Sequence, residues 1–187
     1  TGKVDLDQLE VALTDDTILV SIMFVNNEVG TVEPIYDIEN IVSNSNALLH
    51  VDAVQAISHI DIKFRDFNID TMSITAHKFG GPKGIGILLV KNNTPIEYSQ
   101  LGGEQETKRR AGTESVPQIV GMTKALEIAD QNRNQNNIHL MQLKELFLVS
   151  LQERAIPFEV NGSMVETTGH ILNFYFPFKD VERMLTL

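Results

Sequence analysis

The stretch "MSITAHKFGGPKGIGILLV", Met72–Val90, runs from an apolar segment into a histidine and a lysine, through a glycine-rich turn, and into a second apolar segment. The first segment reads as a strand ending at His77 and Lys78, and "GIGILLV" as another strand. A nucleotide phosphate loop would need GxxxxGK[ST] between a strand and a helix. Here Gly84 follows Lys83 and a strand follows that, while "GPKGIG" misses the GxGxxG spacing. A tight glycine turn between two strands is the better reading, and it leaves Lys78 at a strand end.

The same alternation extends on both sides. Upstream, "DLDQLEVAL" from Asp5 is a short helix with a capping residue. Thr17 to Val25, "TILVSIMFV", is continuously apolar, as expected of a strand covered on both faces of a parallel sheet. It ends at "NNEVG". Pro34 suits a helix first turn, followed by an apolar stripe of Ile35, Ile38 and Ile41 and then a strand in "ALLHVDA". "VQAISHI" is predicted helical and "RDFNI" a connector into the strand at "DTMSITA". Strands and helices in this order predict an α/β fold with a largely parallel sheet. Val116 to Arg154 is mostly helical by period, but "DQNRNQNN" is too polar for a core face, so a domain boundary is expected there. Residues 1–129 would then be the later part of a large domain, and 130–187 the start of a small α+β domain. Its expected features are a stripe of Leu140, Leu143, Phe147 and Leu151, strands at "FEVNG" and "HILNFYF", the latter alternating through Leu172, Phe174 and Phe176, and an uncapped helical pattern in "DVERMLTL".

Composition limits the chemistry. Fifteen Lys and Arg against twenty-five Asp and Glu give a net charge of −10 in 187 residues, the wrong sign for a nucleic-acid or general polyphosphate binder. No apolar run approaches the roughly 20 residues that cross a bilayer, and "TGKVDLDQLE" has no signal-peptide core, so a cytoplasmic protein without membrane contact is expected. With no cysteine, disulfides, thiolate metal sites and a cysteine nucleophile within this chain are excluded. No metal site is predicted.

Ligands of open α/β sheets bind beyond the carboxyl ends of the strands. The polar residues there are Asn26 and Asn27, Asp52 and Gln55, and Thr75, His77 and Lys78. Each alone has a plain reading: asparagines form turns, Asp52 caps the segment from Val54, and Lys78 is a surface charge. Together they suit a different chemistry. A lysine amine in a partly desolvated crevice forms Schiff bases, and pyridoxal phosphate needs such a lysine together with an Asp or Arg at its pyridine nitrogen. Asp52 would keep that nitrogen protonated, and Lys78 would hold the aldehyde and later move the substrate α-proton.

Four ordered motifs, "VNNEVG", "HVDAVQ", "AHKFGGPKGIG" and "GGEQETKRRAGT", resemble the cysteine desulfurases of the class V aminotransferase family over essentially the whole chain. The resemblance implies a fold-type I pyridoxal-phosphate enzyme, a homodimer with a large cofactor domain and a small C-terminal one. It also implies roles. Lys78 matches the cofactor lysine, Asp52 the partner of the pyridine nitrogen, Gln55 the residue bonding the phenolic oxygen, and Asn27 the asparagine facing cofactor and substrate. Thr75 and His77 match phosphate-binding positions, and Thr113 the threonine reaching the neighbouring subunit's phosphate. Departures are Thr75 where serine is commoner, Glu104 in place of a glycine, and Ser115 in place of an asparagine. Lys108, Arg109 and Arg110 read equally as a solvated charge run or as part of a dimer-facing loop. The family's sequence begins earlier, with a histidine that stacks on the cofactor. It also continues further, with a sulfur-accepting cysteine and a carboxylate-binding arginine. The expectation is therefore the middle of an enzyme that converts L-cysteine to L-alanine and passes sulfur through a persulfide to an acceptor protein, for iron–sulfur cluster assembly or tRNA thiolation. A sibling class V aminotransferase or selenocysteine lyase, or a non-catalytic docking partner in a sulfur relay, would share these residues.

Overall fold

The computed structural model describes residues 2–97 and 100–177. The chain opens with α1 (Leu6–Ala12), whose N-terminus is capped as its sequence requires, the Asp5 carboxylate accepting the Gln8 N–H at 3.0 Å. A four-stranded sheet follows, with strands in the order β1 (Leu19–Met23), β2 (Leu48–Asp52), β3 (Thr71–Thr75) and β4 (Gly86–Val90). β1, β2 and β3 run parallel, in the registers Met23 to Asp52 and Asp52 to Ser73, while β4 pairs antiparallel with β3. The carboxyl ends of the three parallel strands therefore lie along one edge of the sheet.

Between β1 and β2 runs α2 (Ile35–Val42), preceded by Pro34. Its Ile35, Ile38 and Val42 are buried against Leu49, Val51, Met72 and Ile74 of the sheet. These sheet residues alternate with the polar set His50, Asp52, Ser73 and Thr75 on the opposite face, a consequence of the two-residue period of a strand. Burying a side chain as fully as Ile38 contributes about 1.5–3 kcal/mol. β1 departs from the expected double cover, since Leu19 is 52% exposed and Ile18 just before it 81% exposed. Among the described residues its one strand neighbour is β2.

The predicted helix at "VQAISHI" does not form. Residues 54–59 make consecutive turns, with the N–H groups of Ala56 and Ile57 both returning to the Ala53 carbonyl. A single 3-10 turn at Phe64–Asp66 then leads into β3. The segment is short and β-branched, and the carboxylate of Asp52 draws the Val54 N–H into a local turn, which together favour turns over helix propagation.

Downstream, α3 (Gln105–Lys108) is one turn, irregular because Glu106 and Thr107 hold positive φ. α4 (Val116–Glu153) is a single helix of 38 residues that passes unbroken through "DQNRNQNN". The boundary expected near 129/130 thus falls inside a helix rather than in a linker. The stripe also differs from expectation. The covered positions include Asn137, Leu140, Lys144, Leu148 and Leu151, whereas Leu143 and Phe147 are exposed, Phe147 making a tilted contact with the Phe174 ring, 5.3 Å between centroids. Spacings of three and four admit both faces, and only the packing partner decides between them. A two-stranded antiparallel sheet, β5 (Glu159–Asn161) and β6 (Asn173–Tyr175), completes the described chain. The helix expected at "DVERMLTL" lies outside the described residues.

Candidate functional site

Because β1, β2 and β3 are parallel and in register, their carboxyl ends bring the expected residues to one rim. Asn26 and Asn27 follow β1, Asp52 ends β2, Gln55 lies three residues on, and Thr75 ends β3. Asp52 and Thr75 sit on the same sheet face, since Asp52 pairs with Ser73 and Thr75 is two residues further along.

The two asparagines divide the roles. Asn26 makes the turn, its side-chain oxygen accepting the N–H groups of Glu28 at 2.9 Å and Val29 at 3.0 Å. Asn27 beside it is exposed. Asp52 is half-buried and accepts the Val54 N–H through Oδ1 at 2.9 Å, which fixes the carboxylate at the mouth of the turn and leaves Oδ2 for another donor. At β3, the Thr75 hydroxyl donates to the Ile85 carbonyl at 3.3 Å and lies 3.1 Å from Nδ1 of His77. With its proton committed to Ile85, Thr75 accepts the His77 Nδ1–H.

His77 and Lys78 lie in a 3-10 turn, Ala76–Phe79, anchored by buried Ala76 and Phe79. Gly80 ends this turn at φ +83°, in the left-handed region, and the Gly81 N–H closes it by donating to the Ala76 carbonyl at 2.9 Å. Lys78 is exposed, not partly desolvated as expected, because it faces outward from a turn whose apolar neighbours point the other way. Gly86 lets β4 pass close to the end of β3, where a Cβ would stand 2.7 Å from the Ile74 carbonyl oxygen.

Two histidines that the sequence reading passed over complete this edge. Nε2 of His170, which lies just before β6, is 3.4 Å from Oε1 of Gln55, and its Nδ1 is 2.7 Å from the Thr168 hydroxyl. Its ring stacks on that of His59 at 3.9 Å and 13°. His59 in turn meets Asn137 of α4 twice, Nδ1 to Oδ1 at 3.0 Å and the Asn137 amide donating to the His59 carbonyl at 2.7 Å. Burial, helped by His59 and the Lys78 ammonium, pushes the His170 pKa down to about 4. Burial also lowers that of His59, with Asn137 acting against it. Their signal in the sequence was weak, a histidine in a Ser-His-Ile turn and another after a glycine.

Thr113 is exposed in the loop before α4, and no hydrogen bond or ion pair among the described residues joins it to Asp52, Gln55, Thr75, His77 or Lys78. Glu104 takes φ −89°, so it needs no glycine conformation itself. The positive φ falls instead on Glu106, Thr107 and Lys108. Lys108 forms an exposed ion pair with Glu104 at 2.9 Å. No group of three or more His, Cys, Asp or Glu placed to hold a metal occurs among the described residues, and no described helix is long and apolar enough to cross a membrane.

This α/β arrangement, with its polar strand ends on one rim, is the fold-type I architecture of pyridoxal-phosphate enzymes. The sequence pattern of the aminotransferase class-V family matches residues 1–187, and the chain belongs to that family. Similar proteins include the cysteine desulfurase IscS of Clostridium botulinum, 43% identical over 177 residues, covering 94% of this chain and 45% of the relative. The cysteine desulfurase IscS of Methanosarcina thermophila is 42% identical over 187 residues, covering 100% and 46% respectively. Among solved structures, a NifS-like protein superposes with a TM-score of 0.89 at 38% identity, covering 94% of this chain and 48% of that one. DndA from Streptomyces lividans gives 0.88 at 34% identity, covering 99% and 53%. The chain spans about half the length of the curated relatives it matches.

Proposed function

We propose that this chain forms the cofactor-holding part of a pyridoxal-phosphate-dependent cysteine desulfurase. The observation that carries the reading is the placing of Asp52, Gln55, Thr75, His77 and Lys78 on one rim of the parallel sheet, within a family whose members generally use this cofactor. The donor set fits the group. Lys78 offers an amine for its aldehyde, Oδ2 of Asp52 a carboxylate for its pyridinium, and Gln55 an amide for its phenolic oxygen. The hydroxyl of Thr75 and the imidazole of His77 suit its phosphate, with Thr113 of a second subunit completing that cup in a homodimer. When bound, the cofactor supplies an electron sink that makes the substrate α-proton removable.

This chain's residues then bind, orient and move protons. Asp52, held by the Val54 N–H, would set its carboxylate against the ring nitrogen and favour that nitrogen's protonated state. Thr75, fixed by Ile85 and His77, keeps its oxygen at the strand end. Asn27, exposed beside the rim, would face cofactor and substrate. Lys78, at the tip of a short turn closed by Gly80 and Gly81, can take a proton from the substrate α-carbon and return one. In the overall reaction the C–S bond of L-cysteine breaks, its sulfur joins an enzyme thiol as a persulfide, and a proton replaces it on carbon to give L-alanine. With no cysteine among these residues, that thiol is supplied from outside them. An acceptor protein takes the sulfur onward, and the cytoplasm is the expected setting. The small unit from residue 130 onward is assigned as the start of a C-terminal domain that shares α4 with the large one.

The test uses the full-length protein loaded with pyridoxal phosphate, reduced with borohydride and digested. One modified peptide carrying Lys78 is expected, and Lys78→Ala should abolish both the label and alanine formation from cysteine. Label scattered over surface lysines, or activity that survives Lys78→Ala, would sink the reading.

A further inference from the structure

We propose that His170 is a positioning residue for Gln55: by donating its Nε2–H to the Gln55 side-chain oxygen, it turns that amide so that the NH₂ group faces the cofactor's phenolic oxygen. The inference rests on the cofactor reading of Gln55 given above. A glutamine amide carries an acceptor on one side and donors on the other, and a half-turn exchanges them. Only the NH₂ side can support an oxygen that carries negative charge. Gln55 sits half-buried in the turns after β2, and His170 is its hydrogen-bond partner at 3.4 Å.

The geometry selects one tautomer. Thr168 is buried, and its hydroxyl lies 2.7 Å from Nδ1 of His170. Oε1 of Gln55, an acceptor, faces Nε2, so in the neutral ring the proton sits on Nε2 and Nδ1 accepts from the Thr168 hydroxyl. Stacking on His59 at 3.9 Å holds the ring plane, and Asn137 holds His59 from α4. The low His170 pKa keeps the ring neutral near pH 7, the state in which one nitrogen accepts and the other donates. A second proton would displace the Thr168 donor and place a positive charge near Lys78 and His59. His170 thus carries information from the β6 side of the molecule to an amide at the sheet rim, without touching the cofactor.

The experiment follows the visible absorbance of the bound cofactor against pH in the full-length protein. An amide donor at the phenolic oxygen makes the proton shared between that oxygen and the Lys78 nitrogen easier to lose. His170→Met, which cannot donate, should raise the titration midpoint by about half a unit to one unit. His170→Gln, which keeps an N–H at similar reach, should bring it back toward the unsubstituted value. An unmoved midpoint in His170→Met, or a glutamine variant no better than methionine, overturns the proposal. Absence of any Lys78-dependent absorbance in the unsubstituted protein would instead overturn the cofactor reading, and this proposal with it. A second readout needs no cofactor and no variant. Nitrogen-15 NMR of the cofactor-free protein should show the His170 proton on Nε2, and a proton on Nδ1 overturns the orientation argued here.

Discussion

His170 and His59 are stacked imidazoles whose pKa values both lie below the usual 6.5, and the direction of the shift fixes how stability depends on acid. A base whose folded pKa is depressed contributes stability that is full above its unfolded pKa and lost as pH falls through the folded value. For His170 that window runs from about 6.5 down to about 4, with His59 and Lys78 as the cationic neighbours that deepen it. Urea midpoints should fall across this window, and His170→Gln should flatten the fall, a difference measured between variant and parent at each pH. Glu33 acts with the opposite sign. Burial raises its carboxyl above 4.5 despite the Val4 N–H and Lys3, so its contribution is full below 4.5 and lost as pH rises through the raised value. Comparison of parent with variant cancels this background. The places of Asp52 at the end of β2 and of Lys78 just past the end of β3 were legible because a polar residue closing an apolar run is a local signal. His170 was not, because its partner Gln55 lies 115 positions away and nothing in "TTGHIL" points to it.

The local rules that succeeded and failed separate cleanly at the level of elements. α2 was readable because Pro34 starts it and its isoleucines recur at helical spacing. Truncation of the fully buried Ile38 to alanine should cost about 2–5 kcal/mol in denaturant unfolding. Gly86 offers a sharper test of the turn between β3 and β4. Its φ is not in the left-handed region, so the requirement is purely spatial, a Cβ coming within 2.7 Å of a backbone oxygen. Gly86→Ala should therefore destabilise by about 1–3 kcal/mol, whereas at Gly80 open space surrounds the same position and the penalty would come from φ +83° alone. Reading "VQAISHI" as a helix failed because apolar spacing over seven residues cannot reveal that Asp52 bonds back to Val54 and starts a turn. The stripe on α4 failed for a related reason, since the register of a helix face is set by the surface beneath it.

At the scale of the whole molecule, the sheet order among the described residues leaves one edge of β1 unpaired, and Ile18 and Leu19 of this border strand region are exposed. Such an edge recruits other chains. These 187 residues, expressed alone, should self-associate and bind a hydrophobic dye, and Ile18→Lys with Leu19→Lys should reduce both signals in light scattering and fluorescence. A monodisperse monomer without dye binding would refute that expectation. An apolar strand announces that it needs cover but does not identify what covers it, which is why the sheet was legible and its borders were not. The continuous α4 has a mechanical consequence. It rests on the sheet side near Met122 and is gripped again by the Asn137–His59 bonds and the Arg133–Asp61 ion pair. From Asn137 to Glu153 the helix runs on for roughly 24 Å at the usual rise per residue, with Lys144 and Leu148 covered and Phe147 against Phe174 of β6. The helix is continuous there, so it acts as a lever that carries the small sheet with it. A tilt at its grip is magnified along that lever, and the grip is at His59, whose ring stacks on the His170 that meets Gln55.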